Sequence, residues 1–485
     1  MDKLYQAFAF AALLAYWVMV VGVTLRVVFK RRAVGVSLAW LLIIYILPIV
    51  GVIFYFLFGE LNLGKKRAAR AKEMFQPYER WFNQLHDCPA HQPQHISSHL
   101  TPIHDLCLNR SSIPALCGDT LSLQNSPHEI LRSMVDDISN AQHFVHLEFY
   151  IWHPGGLADS VGTALIKAAK RGVKVKVQLD SAGSMRFFKS HWPDMLQTAG
   201  IELIEGLAVS PIRMFFRRLD LRQHRKLVII DNHVAYTGSM NLVDPQHFKQ
   251  NAGVGQWVDV MVRLTGPSAA VLDTIHSWDW EVETGDRNIT QLPLCDIDNS
   301  AEVLSSVQVI PSGPGMPEDI IQQTLITAFN QAKQSICITT PYFVPSEHLL
   351  QTIKMTAYRG IKVDLIIPAK NDSIMVDWAS RSFFSDLLEA GVNIYRFTGG
   401  LLHTKSVVID EQFCLIGTVN LDMRSLWLNF ELTLAIDDLE FTRELSWVQQ
   451  DYLKHSTRVE SELWQERSIL NRFIERVFYM FSPLL

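Results

Sequence analysis

Charge is scarce in this chain: 19% of its 485 residues are Asp, Glu, Lys or Arg, against 48% apolar residues. That scarcity excludes a disordered polyelectrolyte, and 49 acidic against 44 basic groups excludes a protein that coats nucleic acid. Cysteine is sparse too. Cys88, Cys107, Cys117, Cys295, Cys337 and Cys414 form no Cys-x-x-Cys pair and no dense framework, which argues against a disulfide-stapled scaffold. Cys337 and Cys414 sit in apolar, strand-like runs, as reduced core thiols do.

Charge is missing altogether from two long stretches near the N-terminus. Leu4–Leu25 is 22 uncharged residues, enough for a helix of roughly 33 Å against a bilayer core of about 30 Å. Ala33–Gly59 is another 27, with Trp40 and Tyr55 near its ends as interfacial anchors. A cleaved signal peptide would be shorter and would end at a small-residue site. The first run ends instead in Arg26 and Lys30-Arg31-Arg32. Two transmembrane helices are therefore expected, at about 4–25 and 33–59, within an anchor covering 1–72. That anchor carries a net charge of +8, which leaves −13 on the remaining residues. Positive-inside counting, six basic residues on the outer flanks against four in the short loop, favours a cytoplasmic body.

Residues 73–108 read as a polar connector rich in His86, Cys88, His91, His95, His99 and His104. Pro89 and Pro93 interrupt it, and no spacing fits a metal framework, so no metal site is expected there.

Past the connector the chain repeats itself. Arg171-Gly-Val-Lys-Val is echoed by Arg359-Gly-Ile-Lys-Val, and Ala199-Gly-Ile-Glu-Leu-Ile by Ala390-Gly-Val-Asn-Ile-Tyr. His224-Arg-Lys-Leu-Val-Ile-Ile-Asp is echoed by His403-Thr-Lys-Ser-Val-Val-Ile-Asp, and Gly238-Ser-Met-Asn by Gly417-Thr-Val-Asn, both 179 residues on. Four ordered matches imply two copies of one α/β unit. They are placed at 109–290 and 303–455, with a seam near 289–303 and a C-terminal amphipathic segment at 456–485. In each copy helical patterns alternate with strands, so a sheet covered by helices is expected. The first copy holds an insertion within Leu207–Leu221. Its Ile212, Met214, Phe215, Phe216 and Leu219 alternate with Arg213, Arg217 and Arg218, as in a segment that meets anionic headgroups at a membrane surface.

Period-two alternation puts His224 and Lys226 on one face of a strand and Asp231 on the other. His403, Lys405 and Asp410 repeat the arrangement. His and Lys should act together, with Asp in a structural role where the strand turns. The hairpin return then brings Ser239 and Asn241, or Thr418 and Asn420, groups suited to holding anionic oxygens. Folded about a pseudo-two-fold, two His, two Lys, two Asn and two hydroxyls converge on a pocket suited to a phosphodiester. One imidazole attacks phosphorus and the other protonates the leaving oxygen.

The doubled H-x-K-x₄-D pattern resembles the phospholipase D superfamily, and more narrowly its bacterial cardiolipin synthases. Trp40-Leu-Leu-Ile-Ile-Tyr-Ile-Leu-Pro, Thr340-Pro-Tyr-Phe-Val-Pro-Ser, Gly417-Thr-Val-Asn-Leu-Asp-Met-Arg-Ser, Asn429-Phe-Glu and the terminal Phe481-Ser-Pro-Leu-Leu are similar to that family. The resemblance implies His224, Lys226, Asp231, His403, Lys405 and Asp410 as the catalytic set. It also implies that a downstream carboxylate orients each histidine through Nδ1, Glu431 in the second copy and Asp259 in the first. The implied reaction transfers a phosphatidyl group between two phosphatidylglycerol molecules through a phosphatidyl-histidine. It implies a bacterial inner-membrane location, anionic lipid as partner, and no cofactor or metal. The absence of any Asp-Gly dipeptide argues against the alternative metal-dependent route from an activated CDP-lipid. A phospholipase D hydrolase and a phosphatidylserine synthase are the neighbouring readings.

Overall fold

The structure is a computed structural model, and it describes residues 2–30, 34–59, 65–208, 221–290, 292 and 305–482. The insertion Ile212–Leu219, Arg31-Arg32-Ala33, most of the seam at 289–303 with Cys295, and the terminal Pro483-Leu-Leu lie outside the described residues. The N-terminal unit, Met1–Ala69, and the body, Arg70–Ala208 with Arg222–Leu485, are separately compact.

In the N-terminal unit the first apolar run is a single helix, Asp2–Phe29, whose stretch Leu4–Phe29 has a mean hydropathy of 2.2. The second run is not one helix. It breaks at Leu47 into Val34–Ile46 and Pro48–Phe54, because Pro48 has no amide hydrogen to continue the first ladder. Val34–Ile46 alone is about 20 Å long at 1.5 Å per residue, shorter than a bilayer core. Gly51 lies so close to the Ile43 carbonyl that a side chain there would collide with it. Val20, Val23, Val27, Ile44, Val52 and Tyr55 form this unit's own small core.

The body holds two mixed sheets. The first orders its strands Thr120–Gln124, Met261–Thr265, Val234–Gly238, Lys226–Ile230, Phe144–Phe149, Lys174–Asp180, Glu202–Gly206. The second has the equivalent order Ser306–Ser312, Glu431–Asp437, Phe413–Gly417, Ser406–Ile409, Ser335–Thr339, Lys362–Pro368, Asn393–Phe397. In both, the last three strands run parallel and the rest are antiparallel. Two further strands extend the second sheet. Leu116–Cys117 pairs with Ser306–Ser312, and Ser456–Arg458 pairs with Asn393–Phe397. Each crosses an expected boundary, the first from the 109–290 copy and the second from the C-terminal segment.

The connector is also more than a linker. Helix Lys65–Gln84 buries Met74, Tyr78, Trp81 and Phe82 in the apolar layer between the two sheets, together with Leu227, Ile229, Val408 and Leu434. His104 is buried and its Nδ1 accepts the Ala115 amide at 3.1 Å. Alternation along Met74, Tyr78, Trp81 and Phe82 is that of a helix face, hidden in the sequence by the polar residues between them.

Candidate active site

Each motif strand is entered from the active-site end and left through a tight turn. Asp231 and Asn232 both have positive φ, as do Asp410 and Glu411, within three-residue connections that join Ile230 to Val234 and Ile409 to Phe413. The Asp231 carboxylate accepts the amides of Gln142, His143 and Phe144, each at 2.8 Å. Asp410 accepts those of Lys333, Gln334 and Ser335 at 2.7–2.8 Å. Both therefore sit at the far end of the strand, about 20 Å from the histidine by strand rise. They tie down the start of the neighbouring strand.

The histidines are buried and each meets a carboxylate from the other repeat. His224 Nδ1 lies 2.8 Å from Glu431 Oε2, and His403 Nδ1 lies 2.6 Å from Asp259 Oδ1. The expected pairing of each carboxylate with its own copy's motif is thus exchanged. The backbone explains why. The His224 amide donates to Phe430 O at 3.0 Å, and Gln223 bridges Phe430 in parallel. The His403 amide donates to Val258 O at 2.8 Å, where Leu401–Leu402 pairs in parallel with Trp257–Val258. The residue after each acceptor is the carboxylate, so parallel pairing across the pseudo-two-fold delivers Glu431 to His224 and Asp259 to His403.

Ser239 and Thr418 hold the carboxylates. Ser239 Oγ donates to Asp259 Oδ1 at 2.6 Å and accepts the Val260 amide at 3.0 Å. Thr418 Oγ1 donates to Glu431 Oε2 at 2.6 Å and accepts the Leu432 amide at 2.9 Å. Both hydroxyls are wholly buried and already engaged with a carboxylate and a backbone amide. The preceding Gly238 and Gly417 permit this, since a Cβ on either would run into the Val260 or Leu432 carbonyl. Asn241 Oδ1 accepts the Ile151 amide at 3.2 Å, and Asn420 Nδ2 reaches Ser425 Oγ at 3.3 Å, while Asn420 Oδ1 is buried without a hydrogen-bond partner.

The lysines close the set. Lys226 Nζ donates to His224 O at 2.7 Å and Lys405 Nζ to His403 O at 2.5 Å, which leaves two donors on each ammonium. Burial draws Lys226 down to about 8 and Lys405 to about 7, against the pull of Glu431 and Asp259. Burial is also the main reason both histidines fall to about 4. Lys226 beside His224 and Lys405 beside His403 push the same way, while Glu431 and Asp259 resist. Burial alone would raise those two carboxyls, but the histidines and lysines outweigh it and hold both below the ordinary range. With Nδ1 donating to its carboxylate, each imidazole presents an Nε2 lone pair beside the Lys226 and Lys405 Nζ groups. The site is built for an anion.

Sequence reading passed over Arg225, the middle residue of the first motif. It is fully buried, paired with Asp279, and donates to Glu431 O at 3.0 Å and Ser312 O at 3.2 Å. No sequence signal distinguishes it from the equivalent Thr404. Among the described residues one group offers metal-ligand types, His146, Asp273 and His276, with their ligand atoms within 4.8 Å. His146 Nδ1 is committed to Asp273 at 2.5 Å. Burial, then His146, Lys176 and Arg225, hold His276 well below its usual basicity, and both its ring nitrogens are buried without a hydrogen-bond partner.

Two histidines with lysines, juxtaposed across two α/β repeats, define the phospholipase D-like class, whose sites handle phosphodiesters. A family model described as "Cardiolipin synthase, PLD-like domain" matches residues 134–261 and 325–451, and one described as "Phospholipase_D-nuclease N-terminal" matches 15–60. The chain is 51% identical over 486 residues to cardiolipin synthase A of Edwardsiella ictaluri and 50% identical to that of Escherichia coli, covering 100% of both chains in each case. The crystal structure of phosphatidylserine synthase from Haemophilus influenzae shares the fold, with a TM-score of 0.56 at 16% identity over 80% of this chain and 98% of that one. The chain belongs to the cardiolipin synthase family.

Proposed function

We propose that the site transfers a phosphatidyl group from one phosphatidylglycerol to another, forming cardiolipin and releasing glycerol. The observation that carries this reading is the pair of crossed histidine–carboxylate contacts beside two buried ammonium groups. His224, with Nδ1–H held by Glu431, attacks phosphorus through Nε2. The phosphorus–oxygen bond to glycerol breaks, and His403 gives that oxygen its Nε2 proton. His403 then takes the proton from the terminal hydroxyl of a second phosphatidylglycerol. That oxygen displaces His224 from phosphorus, restoring both imidazoles.

Burial keeps both histidines neutral near pH 7 before substrate binds, so the acid must be charged when substrate arrives. The anionic phosphodiester supplies the reason, because it offsets Lys226 and Lys405 and lets Asp259 stabilise an imidazolium at His403. The lysines then neutralise the oxygens on which charge builds in the transition state. One phosphodiester is exchanged for another, so no energy input is needed.

The substrate is a membrane lipid, and the N-terminal unit accounts for access to it. Leu4–Phe29 crosses the inner membrane, the broken run 34–59 supplies a second apolar passage, and the body lies on the cytoplasmic side. Cysteine accessibility at Lys3 and on the body, in cells with intact membranes, tests this topology. The body's 73–108, 109–290, 303–455 and 456–485 segments act as one catalytic module.

The deciding experiment gives the purified chain labelled phosphatidylglycerol in detergent without added metal or nucleotide. Cardiolipin and free glycerol in equal amounts are expected. Phosphatidic acid in place of cardiolipin would sink the transfer reading in favour of hydrolysis.

A further inference from the structure

The C-terminal helix Ile469–Tyr479 is anchored by one face only. Ser468 caps it by accepting the Asn471 amide, and Glu475, buried on its inner side, is paired with Arg467 at 3.0 Å. Phe478 stacks on Trp378 and Tyr479 meets Phe383 edge-on, which fixes the helix against Ile374–Arg381 and the residues after it. Among the described residues the opposite face is uncovered. Ile469 is 84% exposed, Leu470 65%, Phe473 64% and Met480, just past the helix, 78%. Ile469, Phe473 and Met480 fall at helical spacing, so they form one stripe. The neighbouring helix adds Ile374, 72% exposed.

Large apolar side chains in such a stripe need a non-aqueous partner. Charge says which kind. The only acidic side chain of the helix, Glu475, is turned inward and paired, while Arg472, which also donates to Gln465 O, and Arg476 are exposed. An apolar stripe edged by arginine, with no exposed carboxylate of its own, is complementary to an anionic lipid surface. The patch also reaches the catalytic rim. Helix Ile374–Arg381 follows directly on Asp372, which accepts from Tyr342 Oη at 2.7 Å and Lys249 Nζ at 3.0 Å and lies within charge range of His403.

We infer that Ile469–Met480 is a bilayer-docking surface that lies in the interface of an anionic membrane, with Ile469, Leu470, Phe473 and Met480 among the upper acyl chains and Arg472 and Arg476 at the phosphates. This inference rests on the proposed use of an anionic bilayer lipid as substrate. Its role is to bring the rim near Asp372 against the surface from which substrate is drawn, independently of the N-terminal helix.

The test is photolabelling of the full chain carrying benzoylphenylalanine at position 473, reconstituted in liposomes of phosphatidylglycerol and phosphatidylethanolamine. The same label at the exposed Ser139 of the first repeat is the reference. A phospholipid-sized mass added at 473 and not at 139 is expected. Addition of water alone, or a cross-link to protein, would overturn the inference, the latter in favour of a protein partner. Arg472→Glu with Arg476→Glu should lower the lipid adduct at 473 several-fold, and an unchanged yield would overturn the part assigned to the arginines. Lipid adduct without cardiolipin formation would leave the docking surface standing and sink the transfer reaction. Turnover without adduct would do the reverse.

Discussion

Beneath His224 the first repeat buries the Arg225–Asp279 ion pair, and beneath His403 the equivalent position is the neutral Thr404. Arg225 pairs with Asp279, and Gln223 Nε2 donates to Glu148 at 2.5 Å, all out of solvent. Burial and the neighbouring Asp279 push Glu148 well above the ordinary carboxyl range, while Arg225 pulls it down. In the second repeat, Thr404 Oγ1 meets Tyr452 Oη at 3.1 Å, and Gln449 Nε2 donates to Thr339 at 3.2 Å and Ser406 at 3.0 Å. The two halves thus reach the same histidine geometry on different foundations. The charged one also reaches across the pseudo-two-fold, because Arg225 holds the Glu431 and Ser312 carbonyls of the second repeat. Duplication preserved the reacting groups, while the supporting layer diverged and took over the docking of one repeat on the other.

The reaction itself offers the strongest way to break the symmetry. His224→Ala and His403→Ala should each lower kcat by at least about 10⁴-fold, as loss of a nucleophile or its acid–base partner does elsewhere. They should differ in what accumulates. His403→Ala should trap phosphatidyl-enzyme from labelled lipid and His224→Ala should not. Trapping on the His224→Ala protein would reverse the roles of the two histidines.

The supporting layers should separate next. Arg225→Met leaves Asp279 buried without its cation and should cost about 3–5 kcal/mol of stability. Thr404→Val removes a neutral hydroxyl and should cost about 1 kcal/mol. Denaturant unfolding of the detergent-solubilised chains measures both, and equal losses would remove the distinction between the repeats.

The strand-end aspartates should behave alike. Asp231→Asn and Asp410→Asn each keep one acceptor oxygen for backbone amides and should lose about 1–3 kcal/mol of stability. The specific activity of the folded fraction should stay within a few-fold of the parent. A 10³-fold loss in folded protein would return them to the reacting set.

The smallest difference concerns the lysines. A lysine works here as a cation, and its pKa lies near 7 for Lys405 and 8 for Lys226. Each loses its proton as pH rises, so kcat/KM should fall on the alkaline side, Lys405 titrating first. Lys405→Arg, which stays charged, should move the limb up by about one pH unit, and Lys226→Arg should leave its onset in place. A profile flat from pH 6 to 9 would show that the lysines keep their protons in the free enzyme.

Much of this was legible in the chain because it is local. The alternation of His224 with Lys226, the turn at Asp231-Asn232, and the glycine before Ser239 are consequences of strand period and turn sterics within a few residues, and the 179-residue echo reports them twice. The aromatic face of Lys65–Gln84 was harder, since its helical period is masked by polar neighbours and by Pro77. The direction of the Ser239 and Thr418 hydroxyls was not legible, because nothing in Gly-[Ser/Thr]-x-Asn shows that a carboxylate stands closer than the ligand.

By itself, then, the sequence determined the two-repeat α/β body, its apolar head, and the paired His-x-Lys segments, since period, composition and repetition act along the chain. Only the tertiary structure decided that Glu431 serves His224 and Asp259 serves His403, 207 and 144 residues away. It also decided that Arg225 is buried where Thr404 is neutral, and that the second apolar run breaks at Leu47. Partner choice of this kind depends on which segments pair in parallel across the pseudo-two-fold, a long-range packing outcome that no local pattern encodes.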